Sequence, residues 1–298
     1  MQYKIIPCAD GDAEFIEEQA DQATNAIVPP EEGAQEEVFV YQVTDPEGRF
    51  LGGCILITEE WKTAIIVDLW VEEAYRHQGI ASALIRESER KAREQGCYLA
   101  LIGTFDFQAK PLYDKHGYAL IETMTDYPKG HEHYFLQKRL DLPCGEAAPA
   151  DLGCYKITLA GEEIAEELSG KLNRHDEACV PREHADISIC KKAIDENGKL
   201  IAGILGGVDG WNNPDIDALW VDELYRGKGI GSALLRAFER EAKENGAYRL
   251  AVEPFDWNVG FFRKNGYEKV TGVLEDYPKG HTMYCMAGPQ LFAAVAQW

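Results

Sequence analysis

Apolar and polar positions along the chain spell one order of elements twice. An opening strand, "YKIIP" from Tyr3, precedes an acidic stretch with helical spacing over residues 13–26; the second reading is "YKITL" from Tyr155, followed by the same spacing over 162–172. Two strands around a turn come next: "EVFVYQV", "DPEG", "RFLGGCILI" in the first case and "DISICKKAI", "DENG", "KLIAGILGG" in the second. A further strand, "TAIIVDLWV" or "IDALWV", runs into a glycine-punctuated turn. The helix after it carries Ile80, Ala83, Leu84 and Ala92 on one apolar stripe and stops at Gly96, or at Gly246 in the second reading. A short buried strand, a short helix and a strand pair ending in "HYFLQKRL" or "MYCMAG" complete each set. The pattern predicts a mixed α/β fold with a strand–glycine turn–helix at its centre.

The duplication extends to individual residues. "LWV" at Leu69–Val71 returns at Leu219–Val221, and "YRHQGIASALI" from Tyr75 returns as "YRGKGIGSALL" from Tyr225. "GTFDFQAKPLYDKHGY" aligns with "EPFDWNVGFFRKNGY" after a one-residue deletion, and "DYPKGH" occurs at Asp126 and again at Asp276. A fixed long period of this kind marks repeated structural units. The non-periodic "DLPCGEAAPADLG", residues 141–153, reads as a linker. Two domains, 1–143 and 144–298, are therefore expected, and the unmatched "GPQLFAAVAQW" is expected to dock as an apolar tail.

Composition narrows the function classes. A net charge of −21 argues against nucleic acid as partner, since phosphate needs clustered Lys and Arg; it suits a cationic substrate and equally suits a role in solubility alone. No apolar run approaches the roughly 20 residues of a membrane span, and the N-terminus has no secretory pattern, so a soluble, cytoplasmic protein with no membrane partner is expected. The eight cysteines show no C-x-x-C pair, which predicts reduced thiols and no metal site.

The repeated turn has a physical use. A strand ending in R-x-x-G-x-G/A and opening a helix presents backbone N–H groups without intrahelical partners; glycine lets an anion approach them, and the helix dipole favours it. Neither G-x-G-x-x-G nor G-K-[ST] is present.

"LWVEEAYRHQGIASALI" and "LWVDELYRGKGIGSALL" resemble the acetyl-CoA-binding motif of the GNAT family of N-acetyltransferases, and "LYDKHGY" and "FFRKNGY" resemble that family's late aromatic segment. The resemblance spans both repeats and implies two tandem GNAT-like acyl-CoA N-acyltransferase domains. It implies a pantetheine gap lined by Leu69, Trp70 and Val71, and by Leu219, Trp220 and Val221 in the second copy. It places pyrophosphate on the turn of Arg76, His77, Gln78, Gly79, Ile80, Ala81 and Ser82, and on Arg226, Gly227, Lys228, Gly229, Ile230, Gly231 and Ser232. For the two tryptophans, core packing is the competing reading.

Amine acetylation needs a base for the ammonium and an acid for the leaving thiolate. Tyr113 stands where the family has its tyrosine acid, whereas the second copy has Phe262. Asp68 is the expected base, with Asp217 as its counterpart on the other sheet face unless a bulge intervenes, and His131 and His281 as second choices. Two functions stay open: an acetyl-CoA-dependent N-acetyltransferase acting on a small amine as monomer or homodimer, or an acyl-CoA-binding sensor in which one or both copies do no chemistry.

Overall fold

A computed structural model describes residues 2–142 and 152–290. Most of the expected linker and all of the tail beyond 290 lie outside the described residues. The first repeat provides β1 (Tyr3–Pro7), α1 (Asp12–Asn25), β2 (Glu37–Thr44), β3 (Phe50–Thr58), β4 (Thr63–Val71), α2 (Ile80–Glu94), β5 (Leu99–Phe105), α3 (Lys110–Lys115), β6 (Ala119–Thr125) and β7 (Glu132–Arg139). The second provides β8 (Lys156–Ala160), α4 (Glu162–Cys179), β9 (Ile187–Asp195), β10 (Leu200–Val208), β11 (Pro214–Val221), α5 (Ile230–Glu244), β12 (Arg249–Val252), α6 (Val259–Lys264), β13 (Lys269–Glu275) and β14 (Thr282–Gln290). These are the expected elements, with one extension: α4 continues past residue 172 to Cys179.

The elements do not assemble repeat by repeat. One compact unit is Pro30–Pro181; the other joins Met1–Pro29 to Arg182–Trp298. This differs from the expected division at 143/144, and the strand pairing gives the reason. In the first unit the sheet order is β6-β7-β5-β4-β3-β2-β8, so the second repeat's opening strand closes it. In the other unit β1 lies beside β9 in the order β1-β9-β10-β11, with β12-β14-β13 as a separate sheet. Register is the same in both: Lys156 faces Thr44 on β2, and Lys4 faces the repeat-equivalent Ile194 on β9. "YKIIP" and "YKITL" are near-identical, so the edges of β2 and β9 accept either strand through the same backbone bonds.

Each exchanged helix is keyed into the sheet by one side chain and one glycine. Leu168 of α4 is fully buried, and its Cδ1 lies 2.4 Å from where a Cβ on Gly53 would stand. Ile16 of α1 is likewise buried, 2.1 Å from the corresponding point on Gly203. Only a residue without a side chain admits such a knob. The opposite sheet faces bury α2 and α5, with Ile80, Leu84 and Ile85 in one core and Ile230, Leu234 and Phe238 in the other.

The cysteine expectation needs one correction. Cys8 and Cys190, 182 residues apart, are joined as a disulfide, with the Cys8 N–H donating to the Cys190 carbonyl at 3.2 Å. Cys8 follows β1 and Cys190 lies on β9, so the strand exchange brings together residues that no local spacing relates. Cys54, Cys97 and Cys285 are buried and form no disulfide, packing as small hydrophobes do.

Gly53→Ala and Gly203→Ala are expected to lower stability by about 1–3 kcal/mol through overpacking against Leu168 and Ile16. Gly260→Ala, inside α6 with no atom within 4 Å of the added Cβ, should be neutral or slightly stabilising. Urea unfolding of the three variants checks the contrast.

Candidate active site

In the unit Pro30–Pro181, β4 pairs in parallel with β5 only from Thr63 opposite Leu99 to Ile66 opposite Ile102. The next residue, Val67, is the extra one of a bulge: Ile55 faces Asp68 and Leu56 faces Ile66. The bulge turns the end of β4 away from β5 and leaves the edge of Val67–Val71 without a β5 partner. Side chains alternate along this end. Leu69 and Val71 pack toward the α2 core, while Trp70, opposite Gly53, faces α4. Its ring meets His175 of α4 at 5.6 Å and the Arg76 guanidinium at 4.9 Å, and its buried Nε1 has no hydrogen-bond partner. Trp70 thus borders the gap through its backbone.

The glycine turn follows at once. His77 and Gly79 have φ of 61° and 87°, and Gly79 caps α2 in the left-handed conformation. Their backbones are exposed, and a Cβ on Gly79 would meet nothing within 4 Å, so an open cradle faces the first N–H groups of α2 at Ile80, Ala81 and Ser82. Arg76 holds the turn closed by donating from Nε to the Val71 carbonyl at 3.0 Å, while Ser82 shares a 2.9 Å hydrogen bond with His116. Gln78 reaches back to the Ala74 carbonyl. These residues fit a phosphate anion: unpaired donors, a helix N-terminus and an adjacent guanidinium.

Tyr113 of α3 is buried against Tyr118, and its hydroxyl makes no hydrogen bond among the described residues. Burial, then the nearby Cys54 thiol and Asp68 carboxylate, raise its pKa well above the usual tyrosine range, so it keeps its proton at neutral pH. Asp68 accepts a hydrogen bond from Ser169 of α4. Two turns further along α4, buried Asp176 receives the Gln108 amide at 3.0 and 2.9 Å, and Gln108 in turn accepts from the Phe105 N–H at 2.9 Å. Ser169, His175, Asp176 and Gln108 were not expected from sequence.

The second-choice histidines have other work. His131 and His281 bond Asp106 and Asp256 at 3.0 and 3.1 Å, and their N–H groups close cis-proline turns onto Pro128 and Pro278.

The other unit keeps the cradle and changes the residues beside it. Gly227 and Gly229 have φ of 74° and 80°, Arg226 bonds the Val221 carbonyl at 3.0 Å, and Lys228 bonds the Leu224 carbonyl at 2.7 Å. Ile230, Gly231 and Ser232 open α5. Leu219 and Val221 pack toward the α5 core, and Trp220 is buried edge-on to Phe15 of α1. A bulge again precedes the strand end, so Ala218, not Asp217, occupies the place of Asp68. Phe262 is buried where Tyr113 stands in the first unit. A groove of about 810 Å³ in this unit, lined by Ile5, Lys191, Arg236 and Arg240 among others, lies between β1 and α5, away from the cradle.

The acetyltransferase (GNAT) family model matches residues 8–118 and 151–267. The chain belongs to this family. It is an acyltransferase, and the two matched ranges are its two repeats. It is 34% identical over 105 residues to the blasticidin-S acetyltransferase of Streptomyces morookaense, covering 35% of this chain and 76% of that protein. It is 37% identical over 71 residues to an acetyltransferase of Agrobacterium fabrum, covering 24% and 52%. A solved acetyltransferase from Bacillus cereus shares 35% identity, with 46% of this chain and 96% of that chain covered and a TM-score of 0.43. No helix among the described residues is long and apolar enough to cross a membrane.

Half-buried His133 of β7 is tilted against Phe105 at 4.8 Å, and its buried Nδ1 has no partner among the described residues. Burial lowers its pKa to about 4, so the folded state holds it neutral. Below about pH 6.5 the unfolded chain binds a proton that the folded chain refuses; the associated stability is present above that pH and is lost as pH falls toward 4. His133→Met, which installs the residue found at Met283, should flatten the stability profile between pH 6.5 and 4 by on the order of 1–3 kcal/mol. Urea unfolding at several pH values measures this.

Proposed function

We propose that this acyltransferase moves the acetyl group of acetyl-CoA to a primary amine of a small cationic molecule, at one centre in the unit Pro30–Pro181. The observation that carries the reading is the opening of β4 from β5 beyond Ile66, with Asp68 just past the bulge and the cradle following the strand end. Acetyl-CoA, when bound, supplies an activated thioester carbonyl. The amides of Ile80 to Ser82 and the Arg76 side chain hold its phosphates, and the unpaired edge of β4 offers main-chain hydrogen bonds as an added strand would.

Asp68, held by Ser169, takes the proton from the substrate ammonium. The amine nitrogen then forms the new C–N bond as the C–S bond breaks, Tyr113 gives its proton to the departing sulfur, and the second N–H proton lost as the amide forms restores the Tyr113 hydroxyl. A buried, high-pKa tyrosine is suited to that role because it stays protonated until a strongly basic thiolate develops beside it. A relative named as a blasticidin-S acetyltransferase supports a small-molecule acceptor. The protein is read as cytoplasmic, with neither nucleic acid nor membrane as partner, acting as monomer or homodimer.

For the second unit, Phe262 and Ala218 favour a different reading: its cradle binds acetyl-CoA, but neither the acid nor the base is present.

Tyr113→Phe should lower kcat, up to the roughly 10²–10⁴-fold that acid catalysis contributes, with acetyl-CoA affinity nearly unchanged. Free-thiol release across an amine library measures it. Silent Tyr113→Phe combined with abolition by Gly229→Trp would place the chemistry in the other unit.

A further inference from the structure

In the unit Pro30–Pro181 two buried carboxylates have a cationic partner, and Asp176 is an exception to them. Asp45 is met by Arg49, and Glu89 by Lys138 at 2.7 Å. Asp176 is 5% exposed, yet among the described residues no Lys or Arg pairs with it, and none pairs with Asp68. What Asp176 meets is an uncharged amide, and a carboxylate has lone pairs beyond those one amide nitrogen uses. A buried charge without a counter-charge is costly, and proteins ordinarily supply one.

The position of this exception matters. Ser169 ties α4 to Asp68, and His175, next to Asp176, lies against Trp70 at the open end of β4. The Asp68 charge is close enough to push the Asp176 pKa up, on top of the larger effect of burial. The carboxylates are specific to this unit. In the second repeat Asn258 stands at the position of Gln108, but Thr24 of α1 takes the place of Asp176 and Ala218 that of Asp68.

We infer that Asp176, brought to the first repeat's site by the second repeat's helix, is the specificity residue for a second positive charge on the acceptor, so that the preferred substrates are small amines carrying two cationic groups. This rests on the proposed amine acetylation and names its substrate class. Asp68 receives the reacting ammonium, and Asp176 holds the one that does not react. A charge-assisted hydrogen bond in a buried setting supports discrimination of about tenfold or more.

The test reads binding, separately from turnover. Calorimetry on the full chain with coenzyme A present compares α,ω-diamines of three to eight carbons with the matching monoamines. At least one diamine is expected to bind tenfold or more tightly than its monoamine, at one site per chain. Asp176→Asn should reduce that diamine to the monoamine's affinity while leaving the monoamine within threefold. Asp176→Ser, a second neutral variant that fits the same space, carries the comparison if the first does not fold. A wild-type chain that binds every pair within threefold, or a neutral variant that keeps the preference, overturns the inference. Either result leaves the thiol-release screen free to support amine acetylation, whereas a screen without turnover removes both.

Discussion

The fit of Leu168 over Gly53, and of Ile16 over Gly203, is the constraint on which the rest of the structure depends. A side chain at either glycine would meet these knobs well inside van der Waals contact, so each sheet face is shaped for a helix that arrives at one height and one angle. Strand order then follows. With the helix seated, the strand before it falls beside β2 or β9 in a single register. Because the two strand–helix pairs share one pattern, the same fit serves either, and the chain uses each to complete the other repeat's body.

Exchange frees the two sites to diverge. Substitutions in α4 alter the first repeat's opening, and substitutions in α1 alter the second's. The outcome is unequal. One opening gathers Asp68, Ser169, Asp176 and Gln108 near a protonated tyrosine; the other has Ala218, Thr24 and Phe262. The cradles themselves stay alike, since a left-handed glycine ahead of a helix N-terminus is needed to approach phosphate whatever happens on the acceptor side.

Much of this was legible in the residues. Alternation and helical spacing predict every described element in order, because sheet faces and helix stripes must bury apolar side chains locally. The buried stripe Ile80, Ala83, Leu84 and Ala92 is one such case. The glycine turns were legible because backbone geometry restricts residue choice. Partnership was not: a strand edge does not specify which of two near-identical strands covers it, so neither the composition of the compact units nor the Cys8–Cys190 bond could be read from spacing. The end of α4 was missed because "NRHDEAC" is polar and carries little apolar periodicity, although its buried aspartate helps to build the site. The bulge that puts Ala218 rather than Asp217 beside the opening is a hydrogen-bonding feature with no residue signature of its own.

Cross-strand trapping tests the exchange most directly. Thr44 faces Lys156 across the β2–β8 edge. Directly opposed antiparallel residues have Cβ atoms about 4.5–5.5 Å apart, close to disulfide range. Mild oxidation of Thr44→Cys/Lys156→Cys should yield an intramolecular disulfide, seen as a linked peptide by mass spectrometry, with acetyl transfer retained. Thr44→Cys/Lys4→Cys should yield none. The reverse pattern, with Lys4 linked to position 44 and Lys156 unlinked, would show that each repeat closes on itself and would contradict the account.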